Sequence, residues 1–142
     1  MTIRGLDHIN ISTDRLDETV AFFQDVLGLE LGWRPDFPMG GAWLYAGDTA
    51  VVHLVEFTNA KLPSRDAALD HFAFRIDDYD GILARIKAKG IKHQTVDIAG
   101  TEIRQINIRD PNGANIELNY RPDGPRPVVK GGAKVKHAPI PN

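Results

Sequence analysis

The chain has 142 residues, with 17 Lys and Arg against 19 Asp and Glu, and its net charge of −2 removes the electrostatic case for a nucleic-acid or acidic-membrane partner. It has no cysteine, which excludes disulfides and thiolate ligands, so any metal must be held by N and O donors. Its 42% hydrophobic and 25% charged residues are ordinary for a soluble protein. No apolar run reaches the length of a membrane span and no signal-peptide pattern precedes Leu6, so the cytoplasm is the expected compartment.

From the N-terminus, Leu6-Asp7-His8 opens a run in which Leu6, His8 and Asn10 face one way and Ile9 and Ile11 the other. That period of two marks a strand. Thr13-Asp14 offers an N-cap, and Asp17 and Glu18 suit the first turn of the helix that follows. Leu16, Val20, Phe23 and Leu27 recur at helical spacing, and Gly28 stops the helix. Strands are predicted at Glu30–Arg34, Ala42–Ala46 and Val51–Phe57, separated by Pro35, Pro38, Gly40-Gly41 and Gly47-Asp48.

The order then repeats. Leu69-Asp70-His71 opens a second strand, His71–Ile76, with Phe72, Phe74 and Ile76 on one face. Asp77-Asp78 caps a helix bearing Tyr79, Ile82, Leu83 and Ile86, and Gly90 ends it. Strands follow near Lys92–Val96, Ile103–Arg109 and Asn115–Tyr120, the last two joined by the turn Asp110-Pro111-Asn112-Gly113. The expected fold class is therefore α+β: two βαβββ modules forming a curved mixed sheet with helices on the outer face. The chain reads as a single domain over 1–142, with module one at 3–57, a linker at 58–68, module two at 69–120 and a Pro/Lys-rich tail at 121–142. A module of roughly 50 residues buries little core alone, so the two should share one or pair with another chain.

Each module carries a metal-ligand type on its first and last strands: His8 and His53 in the first, His71 and Glu117 in the second. In the strands of His8, His71 and Glu117, the candidate alternates with bulky neighbours: Ile9 and Ile11, Phe72 and Phe74, Ile116 and Leu118. If helices cover the apolar faces, the four polar side chains converge on one concavity. Three imidazoles and a carboxylate suit Fe2+, Mn2+, Ni2+, Co2+ or Zn2+ and suit Ca2+ or Mg2+ poorly. A polar cleft without metal is the alternative. Trp33, Phe37, Trp43 and Tyr45 are candidates for an apolar pocket wall, although such aromatics serve more often as core. Asn10 shares the His8 face, and Arg75 shares the His71 face, where it could meet an anionic substrate or form a surface ion pair. Glu56 points away from His53, and His93 and His137 have no register that links them to the others.

The two Leu-Asp-His motifs, Phe22-Phe23-Gln24-Asp25-Val26-Leu27-Gly28-Leu29, and Asp110-Pro111-Asn112-Gly113 followed by Ile116-Glu117-Leu118 carry a resemblance. The chain resembles the vicinal oxygen chelate superfamily of glyoxalase I, extradiol dioxygenases, fosfomycin resistance proteins and methylmalonyl-CoA epimerase, over residues 3 to about 120. That resemblance implies His8, His71 and Glu117 as metal ligands and His53 as fourth ligand or acid/base. Catalytic roles would fall to His53 and Glu117. It also implies a small-molecule substrate binding through vicinal oxygens, and a homodimer in which the site can lie between subunits. Ser12, Phe57 and His53 depart from the glyoxalase I pattern, and Asn10 departs from the thiol-transferase fosfomycin pattern. Asn107 stands where extradiol enzymes carry a Tyr, but two His and one Glu match their facial triad. The expectation leans to dioxygenase-type chemistry. A glyoxalase I-like lyase or isomerase is the alternative, and a non-catalytic binder of the bleomycin-resistance type is a third reading.

Overall fold

The computed structural model describes residues 6–57, 69, 71–98 and 102–121. Asp70, the 58–68 linker, His137 and the tail beyond Arg121 lie outside those residues. The first module runs β1 (Ile9–Thr13), α1 (Leu16–Asp25), β2 (Glu30–Gly32), β3 (Gly41–Ala46) and β4 (Thr49–Glu56). The second runs β5 (Phe72–Ile76), α2 (Tyr79–Ala88), β6 (Gln94–Asp97), β7 (Arg104–Arg109) and β8 (Asn115–Tyr120). Both have the βαβββ order expected, and the sheets have matching topology: β1-β4-β3-β2 and β5-β8-β7-β6. In each, the first strand pairs parallel with the last and the other pairs are antiparallel. The parallel pairing sets His53 beside Asn10 and Glu117 beside Ala73, bringing the first and last strands of each module together.

Alternation decides which face is dry. Val52 and Leu54 of β4 and Ile116 and Leu118 of β8 are buried, with Phe23 of α1 and Ile86 of α2 also fully enclosed. These residues join one hydrophobic cluster drawn from both modules. The intervening residues His53 and Glu117 therefore face away from that core. No described helix is long and apolar enough to cross a membrane.

The helix ends follow local chemistry. Gly28 and Gly90 adopt φ of +72° and +65° after α1 and α2, a region costly for residues with a Cβ. At α1, Gly28 N–H donates to Gln24 O and Leu29 N–H to Phe23 O, satisfying carbonyls of the last turn. Asp78 caps α2 as expected, its side chain accepting from Gly81 N–H at 2.9 Å. The cap of α1 differs from expectation. Arg15 holds the N-cap position without a side-chain bond, and Thr13 Oγ1 accepts from the N–H of Arg15 itself, two residues on, rather than from an N–H inside the helix. Thr13 is instead drawn into a buried polar cluster: its hydroxyl donates to Asn112 Oδ1 at 2.7 Å across the modules. Strand β2 ends at Gly32, short of the expected Arg34, and the next carbonyl, that of Trp33, accepts from Tyr45 Oη at 2.6 Å.

Candidate functional site

The four candidate ligands fall into two pairs. His8, just ahead of β1, lies against His53 of β4, their rings 3.8 Å apart and 15° from parallel. His71, just ahead of β5, places Nε2 3.7 Å from Glu117 Oε2 on β8. Among the described residues no three His, Cys, Asp or Glu side chains gather closely enough to hold a metal ion. Each module thus presents a two-donor half, and the single concavity expected of all four is not formed within the described part of one chain.

The two halves differ chemically. His8 Nδ1 donates to Asp7 Oδ2 at 2.6 Å, which leaves Nε2 as the ring nitrogen open to another partner. A carboxylate behind a ligating imidazole is a common support for metal binding. Asp7 is a functional candidate that the reading of single ligands missed, although its signal was present in the Leu-Asp-His motif itself.

His53 is held differently. It is sandwiched between His8 and Trp43, which stacks on it at 4.0 Å and 8°. The ladder causes this: Trp43 is the direct partner of His53 across β3 and β4. Imidazole lone pairs lie in the ring plane, so two nearly parallel rings do not direct them at one point. Burial and then the neighbouring His8 lower the His53 pKa below the ordinary imidazole value, partly opposed by a backbone hydrogen bond at Ala50 and by Asp7. A neutral imidazole beside the His8 face is chemically a proton acceptor.

In the second half, Asn119 Nδ2 donates to Glu117 Oε1 at 3.0 Å, leaving Oε2 on the His71 side. Asn10 lies opposite His53 in the ladder, on the face expected. The aromatic wall is present on module one: Trp33 and Phe37 pack around Trp43 at centroid distances of 6.0 and 6.5 Å, and Trp33 is 72% exposed. Arg75 lines a cleft of about 250 Å3 between the modules rather than the one lined by His71. That larger cleft, of about 510 Å3, is also lined by His93, set aside on sequence grounds, and by Lys92 and Arg109.

Paired βαβββ modules with imidazole and carboxylate side chains on the faces away from the core define the vicinal oxygen chelate class. The chain belongs to the Glyoxalase/Bleomycin resistance protein/Dioxygenase superfamily, whose family model matches residues 5–118. It is 32% identical to the manganese-dependent 2,3-dihydroxybiphenyl 1,2-dioxygenase of Geobacillus genomosp. 3, over 87% of this chain but only 39% of that longer enzyme. It is 28% identical to the lactoylglutathione lyase of Neisseria meningitidis, over 82% of this chain and 91% of the lyase. Its fold matches that of a glyoxalase-family protein of Bacillus anthracis with a TM-score of 0.71 and 25% identity, covering 86% of this chain and 98% of that one. These relatives include enzymes of two reaction types, and one is named for its metal.

Proposed function

We propose that the protein is a metal-dependent enzyme acting on a small molecule that presents two adjacent oxygens. His8, His71 and Glu117 would hold the divalent ion, which when bound supplies Lewis acidity to those oxygens. The observation that carries this reading is the pair of complementary halves: an imidazole backed by Asp7 on one module, and an imidazole–carboxylate pair on the other. Two imidazoles and one carboxylate suit a first-row divalent ion with open positions. Neither half alone offers enough donors, so the centre would form where module one of one copy meets module two of a second, making the homodimer the working unit.

In this reading His53 is the acid/base rather than a fourth ligand. Its place in the stack keeps the ring beside the substrate face, and its lowered pKa keeps it ready to take a substrate hydroxyl proton. Trp43, with Phe37 and Trp33 beside it, supplies an apolar wall suited to a planar ring. That wall, and the open coordination of two His and one Glu, favour dioxygenase-type cleavage of a catechol-like substrate. The lyase-named relative keeps glyoxalase-type isomerisation as the second reading.

Protein purified without a tag is expected to contain near-stoichiometric divalent metal, lost in His71→Ala and Glu117→Ala. Oxygen uptake with a catechol panel, set beside turnover of the methylglyoxal–glutathione adduct, chooses between the branches. Metal retained with neither activity would sink both. Failure to take up any divalent ion would leave a binding protein of the bleomycin-resistance type. A finer check concerns the support behind His8. Asp7→Asn keeps the shape but removes the charge, and is expected to weaken metal affinity by about 10–100-fold. Unchanged affinity by competition with a chromogenic chelator would remove His8 from the ligand set or Asp7 from its support.

A further inference from the structure

The cleft of about 510 Å3 beside His71 has an unusual lining for this chain. Acidic residues outnumber basic ones in the sequence, 19 to 17. Yet the described lining of this cleft includes Lys92, His93 and Arg109 and no carboxylate. Between the charges stand amides: Gln94 of β6 opposite Asn107 of β7, and Asn115 of β8 opposite Arg109. The left-handed turn at Gly90 ends α2 and delivers Lys92 and His93 to the head of β6.

The cations are available. Arg109 Nε donates to Asn115 Oδ1 at 2.9 Å, which pins the guanidinium yet uses only one of its five N–H donors. Among the described residues neither Arg109 nor Lys92 is in an ion pair. His93 Nδ1 donates to the Ile91 carbonyl at 2.9 Å, which holds the ring at the rim. A guanidinium held by Asn115, an ammonium and amide side chains, with the one neighbouring carboxylate, Glu117, turned to His71 and Asn119, are the chemistry that recognises a carboxylate or phosphate oxygen.

We propose that this cleft is an oxyanion-binding subsite. It takes a carboxylate, phosphate or phosphonate group carried by the same small molecule whose vicinal oxygens approach His71 and Glu117. That second clause rests on the metal reading above; oxyanion binding in the cleft does not. Arg109 on β7 is two strand spacings from β5, roughly 10 Å from the strand His71 leads into. A substrate that engages both would carry its anionic group at the Arg109 end of the cleft and its chelating oxygens at the His71 end.

The test uses full-length 15N-labelled protein stripped of metal. It is titrated with inorganic phosphate and, separately, with acetate, at ionic strength held constant with chloride. Saturable shifts are expected at the amides of Lys92, His93 and Arg109. Lys92→Met/Arg109→Met should weaken that affinity about tenfold or more, whereas Lys89→Met, outside the cleft, should not. Saturation by phosphate alone would assign a phosphate or phosphonate group, and saturation by acetate alone a carboxylate. Drift without saturation for both anions, or equal affinity in the double variant, would overturn the proposal. Metal uptake on reloading is read on the same proteins, and the double variant should load metal like the parent. Saturable anion binding in a protein that takes up no metal would sink the metal reading and leave the subsite standing.

Discussion

Mixing His8→Ala protein with Glu117→Ala protein is expected to restore metal binding that neither variant has alone. The reason is the partition of donors. His8 belongs to one half and the His71–Glu117 pair to the other, and no group of three donors forms among the described residues of a single chain. In a two-fold dimer each centre would join the first half of one copy to the second half of the other. A mixed dimer then has one centre in which both substitutions meet and one with neither. Random exchange of subunits makes half the dimers mixed, so metal per chain should recover to about a quarter of the parent level. Unmixed variants should stay empty. If each chain instead completes its own centre, every centre in the mixture carries one substitution and nothing is recovered. Co-refolding followed by metal analysis of the separated dimer decides this without knowledge of the substrate. The same mixture, assayed once a substrate is known, should regain activity in proportion to metal.

The paired modules were legible because they rest on local, periodic signals. Alternation around His8, His71 and Glu117, Gly28 and Gly90 after the helices, and Asp78 ahead of the second helix all act within a few residues of themselves. The repeat of Leu-Asp-His pointed to equivalent strands, and each sheet pairs its first and last strands as that repeat requires. What stayed hidden depends on cross-strand neighbours. His93 lies in a connection before β6, with no alternation to mark its face. Only the register of β6, β7 and β8 sets it in one cleft with Arg109 and Asn115. The stacked setting of the His53 ring has the same origin. Strand parity puts His8 and His53 on one face, but stacking against Trp43, 10 positions earlier in sequence, sets the plane of the ring. Thr13 looked like a helix cap because its local sequence is that of a cap, and a partner 99 residues away claimed its hydroxyl instead.

That distant partner carries the largest expected effect on stability. Asn112 sits in the turn between β7 and β8 and joins the modules through its side chain. Its Oδ1 accepts from Thr13 Oγ1 at 2.7 Å, and its Nδ2 donates to Thr19 Oγ1 at 3.0 Å and to Asp110 Oδ2 at 2.9 Å. Thr13, Thr19 and Asp110 are all buried, so water does not readily replace a lost partner. Burial raises the Asp110 pKa, and hydrogen bonds from Asn112 and Ala114, with Arg15 nearby, pull it partly back. Asn112→Ala removes three side-chain bonds, one of them to a carboxylate, and is expected to cost about 3 kcal/mol of unfolding free energy. The substitution Asn10→Ala on an exposed position of β1 should stay within about 0.5 kcal/mol. A denaturant midpoint that falls with an unchanged slope is the signature sought. The pH dependence gives a second readout. A carboxyl raised in the folded state favours folding when protonated, and that contribution is lost as pH rises through its folded value. Removing the Asn112 donor makes the ionised form costlier still. The deficit of Asn112→Ala should therefore be full where Asp110 is ionised and narrow as pH falls through its raised value. A deficit independent of pH would separate Asp110 from the latch, and one below about 0.5 kcal/mol would show that the turn does not tie the modules together. Because the same contacts fix how module two sits against module one, a weakened latch should also lower the metal recovered in the mixed dimer.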